Sequence, residues 1–96
     1  ANFNMEKEEG VRPMDKSFYV IVATVKGLKK AQKAVRKAEK EFDLESFVIH
    51  PAGDKYYYIS TGGFDDSESS RMELKRVYRA RTEDTFNGKP WVLEVK

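Results

Sequence analysis

Two segments of the chain follow one plan, and that repetition limits the possible folds more than any other feature. Phe18–Val25 (FYVIVATV) and Tyr57–Phe64 (YYISTGGF) both run aromatic, aromatic, branched, two further residues, a small one, one more and an apolar one. Each leads within a few residues into a helix-like segment. A strand with a small residue near its end, feeding a helix and used twice, implies a duplicated strand-helix unit. Such a duplication sets the two repeated strands side by side in the middle of one sheet. Their outward side chains then act together, and here those side chains are rich in aromatic rings.

The remaining composition narrows the class. At 96 residues the chain holds one domain and one core. It has no cysteine, which excludes disulfide frameworks and thiolate metal sites. No run approaches the ~18 apolar residues of a membrane span, and the first residues lack the charged-then-apolar pattern of a signal peptide. A formal net charge of +2 is too small to argue for nucleic acid.

Residues 1–16 (ANFNMEKEEGVRPMDK) are polar and interrupted by Gly10 and Pro13, and read as a linker or short N-terminal extension. The domain proper is expected over 17–96. Its first strand, 18–25, is apolar on both faces and closed by Lys26 and Gly27. A helix over 28–42 follows, with Leu28, Ala31, Val35, Ala38 and Phe42 on one face and six cations on the rest, a pattern that reads as a solvated surface. Asp43 breaks it. A short strand at 46–50 and another at 55–62 flank the turn Pro51–Asp54, giving a hairpin. Gly62 and Gly63 are expected to end that strand at positive φ. Asp65, Asp66 and Ser67 are candidate caps for a helix over 67–81 that turns Leu74, Val77 and Tyr78 inward. Asn87-Gly88 marks a turn before a last strand at 90–95.

The order βαββαβ predicts an α+β domain: a four-stranded antiparallel sheet with both helices on one face and the first and third strands central. The other face is open. Strict alternation puts Phe18, Val20, Val22, Tyr57, Ile59 and Thr61 toward the helices, and Tyr19, Ile21, Ala23, Tyr56, Tyr58 and Ser60 outward. Tyr19, Ile21, Tyr56, Tyr58 and Ser60 then form a shallow patch of rings and hydroxyls suited to sugars or bases, which offer an apolar face and polar edges. Alternatively, these tyrosines cover a half-buried sheet or pack beneath the N-terminal segment.

Catalysis finds little support. His50 is the only histidine and stands beside a turn, the Asp65-Asp66 pair reads as capping, and no phosphate-loop spacing surrounds Gly62-Gly63. The expectation is a domain that is not an enzyme and needs no metal or cofactor.

At these residues the chain resembles the SPOR (sporulation-related repeat) family, small domains that bind bacterial peptidoglycan. The family's first strand, aromatic-aromatic-Val-Gln-Val-Gly-Ser-Phe, is similar to Phe18–Val25. Its tyrosine-x-Val-x-Val-Gly-Pro-Phe strand is similar to Tyr57–Phe64, and a Ser-x-x-Ala helix start is matched by Ser67 with Ser70 in the alanine place. A closing tryptophan strand corresponds to 90–95. The likeness covers 17–96. Ile21 stands where the family has glutamine, Ala23 where it has glycine and Thr24 where it has serine.

The resemblance implies the ferredoxin-like or RNP-like form of the βαββαβ fold. It also implies non-catalytic binding of glycan strands stripped of their stem peptides, across the open face, in the periplasm or cell envelope. Such binding targets a parent protein to the envelope or the division septum. It implies no membrane contact by the domain itself, though a parent protein can be anchored. Tyr19, Ile21, Thr24, Tyr56, Tyr58, Ser60 and Trp91 are the glycan-binding candidates. Trp91 is ambiguous, because its alternation with Leu93 and Val95 also fits a core role. The rival readings are an RNA-recognition-like module stacking bases on Tyr19 and Tyr58, which the missing basic-Gly-aromatic pattern disfavours, and a protein-interaction module using the same face.

Overall fold

The computed structural model describes residues 10–80 and 89–95. The elements are β1 (Phe18–Val25), α1 (Leu28–Phe42), β2 (Phe47–Ile49), β3 (Tyr57–Phe64), α2 (Ser67–Ala80) and β4 (Trp91–Glu94). The strands form one sheet in the order β2-β3-β1-β4, with all three pairings antiparallel. This is the expected βαββαβ, ferredoxin-like arrangement, with the two repeated strands in the centre. Residue 81 of the expected second helix and the Asn87-Gly88 turn lie outside the described residues.

Local chemistry explains where the helices start and stop. Asp66 caps α2: its carboxylate accepts the Ser69 amide at 2.8 Å and the Ser69 hydroxyl at 2.9 Å. α1 ends at Asp43, which takes a left-handed φ of 55°, and the Leu44 amide returns to the Ala38 carbonyl at 3.0 Å. Both helices pack on one face of the sheet. Ala31 and Ala38 of α1 and Val77 of α2 meet Val20, Val22, Val48 and Ile59 in a core from which water is excluded. Alanines at these positions let the α1 backbone lie close to the strands. Ser70 does the same for α2, burying its hydroxyl by donating to the Ser67 carbonyl at 2.7 Å. Tyr78, expected on the inner face of α2, is instead 47 % exposed: four residues on from Leu74 and one from Val77, it falls at the rim of the buried stripe.

The centre of the sheet departs from strict alternation. Val20 pairs with Gly62 and Ala23 with Ile59, but between them Ile21 pairs with Ser60, which leaves Val22 and Thr61 out of step. Residues directly opposite one another in an antiparallel pair share a face. Ala23 therefore turns inward with Ile59 and joins the helix-side core, whereas alternation placed it outward. Thr24, opposite Tyr58, turns outward. The Ser60 hydroxyl steadies the irregular step, donating to the Gly62 carbonyl and accepting the Gly62 amide, both at 3.1 Å.

β3 also runs on to Phe64 rather than stopping at Gly62, and neither Gly62 nor Gly63 has a positive φ. Close approach explains Gly63: a Cβ there would lie 2.6 Å from Cε1 of Tyr19, its cross-strand neighbour. The tyrosine ring lies flush against a strand that has no side chain at this point.

Candidate functional site

The face away from the helices carries Tyr19, Ile21 and Ile49 as a second buried cluster, joined by Met14, Phe47, Tyr58, Leu93 and Val95. Half of it is closed by the chain's own N-terminal extension. Val11 makes a parallel bridge to Val48 at the β2 edge, and the Arg12 amide donates to the Val48 carbonyl at 2.8 Å. The Arg12 guanidinium lies 4.4 Å from the centroid of the Phe47 ring, a cation-π contact. Met14 packs into the cluster, and the Lys16 amide donates to the Tyr19 hydroxyl at 3.0 Å. The Ser17 amide then donates to the Phe64 carbonyl, while Ser17's own carbonyl accepts the Val95 amide. Residues 10–17 thus cross the sheet from its β2 edge to β4 as a strap.

The strap divides the seven candidate residues. Tyr19, Ile21 and Ser60 lie on the expected side of the sheet, but at 2 %, 0 % and 0 % exposure they are closed to a ligand. An apolar Ile21 suits that position, where the amide of a glutamine would require a buried partner. Thr24, Tyr56, Tyr58 and Trp91 lie beyond the strap and keep accessible surface. Trp91 is 41 % exposed. It pairs with Ile21 and its alternation with Leu93 and Val95 is real, but the face they share is the strap's side of the sheet, not the helix core.

The accessible half is organised by the β2–β3 turn. The Asp54 amide closes that turn on the Pro51 carbonyl at 3.0 Å, with Gly53 supplying the positive φ of 80° the bend requires. One Asp54 carboxylate oxygen then accepts the Tyr56 amide and the other the Tyr58 hydroxyl, each at 2.9 Å. The Tyr56 amide, and next the Tyr58 hydroxyl, hold the Asp54 carboxyl below the usual carboxylate range, so it is ionised at neutral pH. Partial burial, together with the bond to Asp54, pushes the Tyr58 phenol up from its ordinary value. His50 stacks on Tyr57 at 3.9 Å between centroids, and its Nε2 lies 2.7 Å from the Asp54 carbonyl. A carbonyl only accepts, so Nε2 carries the proton.

With its hydroxyl fixed, Tyr58 meets the Trp91 ring edge-on, at 6.1 Å and 81°. The Lys26 and Lys55 ammonium groups lie 5.7 Å and 5.4 Å from the centroid of Tyr56. The accessible surface is therefore a ring pair on a rigid floor, bordered by one fixed carboxylate, one threonine and two cations. Asp54 and Lys26 were not among the sequence candidates. Asp54 read only as a turn residue, although the groups it holds are two and four residues on. Lys26 read only as a strand terminator, because its approach to Tyr56 comes from strand pairing and leaves no local mark. Among the described residues no group of three or more histidine, aspartate or glutamate side chains is placed to hold a metal ion.

In comparisons with known proteins, no family model, no curated protein and no solved structure matches this chain, and the candidate site rests on its own geometry.

Proposed function

We propose that the domain binds glycan strands of bacterial peptidoglycan without catalysis, through the half of the open face that the strap leaves uncovered. The observation carrying this reading is the Tyr58–Trp91 pair beside the Asp54 carboxylate. Sugar rings present an apolar face of C–H groups that packs on indole and phenol rings, and equatorial hydroxyls that donate to a fixed carboxylate. Both Asp54 oxygens retain acceptor capacity after their bonds to Tyr56 and Tyr58. The contact residues are then Thr24, Tyr56, Tyr58 and Trp91, with Asp54 added. Tyr19, Ile21 and Ser60 support the floor. A place in the cell envelope, and a parent protein directed to the division septum, belong to the same proposal.

Co-sedimentation with purified sacculi, before and after amidase removal of stem peptides, tests it. The domain should pellet with the stripped preparation, and Trp91→Ala should remain in the supernatant with its fold intact. If neither preparation retains the wild-type domain while a control binder pellets, the reading fails.

Lys26 and Lys55 beside Tyr56 favour a second reading, single-stranded nucleic acid stacked on the same rings. The ionised Asp54, bonded to the Tyr58 hydroxyl, opposes it, because a phosphate backbone would run past a fixed negative charge. Oligothymidylate binding that falls steeply with salt would select this alternative.

A further inference from the structure

We propose that Lys26, Lys55 and Tyr56 form an anion subsite at the turn end of the open face, and that it takes a carboxylate carried by the glycan. This rests on the glycan reading and names the charge state of the ligand. Lys26 follows the last residue of β1 and Lys55 precedes β3, and the pairing of Val25 with Tyr57 brings both to one edge of the aromatic surface. Their ammonium groups share the Tyr56 ring. Among the described residues neither makes an ion pair. Asp54, next to Lys55 in sequence, is engaged with the Tyr56 amide and the Tyr58 hydroxyl. The cluster thus offers positive charge without an ion-pair partner among the described residues, at the border of two accessible rings, where an anion attached to a flat, hydroxylated body satisfies all the groups at once.

Peptidoglycan supplies that anion in only one of its states. With the stem peptide attached, the lactyl group on alternate sugars ends in a neutral amide. Hydrolysis of that amide leaves a free carboxylate. The subsite therefore gives a charge-based reason for the domain to prefer stripped strands. One carboxylate per disaccharide also suits a surface that carries a fixed negative group of its own better than a continuous run of phosphates does.

The test uses soluble glycan oligosaccharides from amidase-treated sacculi, the same oligosaccharides with their carboxylates converted to primary amides, and a fifteen-nucleotide oligothymidylate. Wild type should bind the acidic form about three- to tenfold more tightly than the amide form, the scale of two exposed charge contacts. That preference should shrink as salt is raised. A Lys26→Gln/Lys55→Gln double variant, shown to be folded by its melt, should bind both forms alike, at the level wild type shows for the amide form. Equal wild-type binding to the two forms overturns the subsite and leaves the glycan reading standing, as does a double variant that keeps the preference. Binding to neither form overturns both readings, and salt-sensitive binding of oligothymidylate alone assigns the two lysines to phosphate. The comparison of ligand forms needs only wild type, so it decides the matter even where the double variant folds poorly.

Discussion

Gly63→Ala measures how tightly the covered half of the sheet is built. The new Cβ would lie 2.6 Å from Cε1 of Tyr19 and 3.0 Å from its Cδ1, with Cγ of Lys16 also at 3.0 Å. Real contacts of a Cβ are not that short, so something must move. Tyr19 is poorly placed to do so: it is 2 % exposed, its ring meets Phe47 edge-on at 6.4 Å, and its hydroxyl holds the Lys16 amide. Overpacking a site of this kind costs roughly 1–3 kcal/mol. Against it stands a gain of ~0.4–1 kcal/mol, because alanine has less freedom to lose on folding and the glycine φ here is not positive. The net loss is about 1–2 kcal/mol, which for a domain of this size lowers Tm by about 4–15 °C.

Thermal and urea melts of Gly63→Ala provide the measurement, and Tyr19→Leu/Gly63→Ala serves as the relief variant. The double variant should lose less than the two single losses added together, since the shorter side chain removes the clash. Gly53→Ala is the contrast. Nothing lies within 4 Å of its added Cβ, so its cost comes only from holding alanine at φ 80°, roughly 1–2 kcal/mol. A Gly63→Ala protein as stable as wild type would refute the flush packing of Tyr19 and, with it, the strap as a fixed cover.

Tyr57 packs on the helix-side core and Tyr58 on the open face, so Tyr57→Ala should cost about 2–4 kcal/mol in a melt. Tyr58→Ala should remain folded and lose sacculus binding, and the opposite pattern would mean the two faces are reversed. Ser60→Ala removes the hydroxyl that bridges the irregular step and leaves the Gly62 amide without that partner; a loss of ~1–2 kcal/mol by urea titration is expected, with binding unchanged in the folded protein. The Asp54 carboxyl is depressed in the folded state, so its contribution to stability is present above the unfolded pKa of ~4 and lost as pH falls through the lower folded value. Melts of Asp54→Asn between about pH 2 and 5 should therefore show a shallower acid limb than wild type. Asp66, depressed by its bonds from Ser69, keeps part of that limb in both proteins.

The sequence by itself determined the elements and their order. Periodicity, capping residues and turn residues are local signals: Ala31 and Ala38 recur on one side of α1, Asp66 stands before α2, and a turn-forming stretch separates β2 from β3. Alternation also assigned Tyr57 inward and Tyr58 outward, because the register of that part of β3 is unbroken. What it missed depends on residues distant in sequence. The irregular pairing of Ile21 with Ser60 turns Ala23 inward and Thr24 outward, and no single strand records it. The need for glycine at 63 comes from the Tyr19 ring across the strand, not from its own φ. Residues 1–16 have no hydrophobic period and so read as a linker or short N-terminal extension; within them one methionine, one arginine and a few backbone hydrogen bonds are enough to lay the segment from residue 10 onward over Tyr19 and Ile21. Tertiary structure alone decided which half of an aromatic face stays open, because burial on a sheet is set by whatever crosses it, and a crossing segment is held by contacts rather than by pattern.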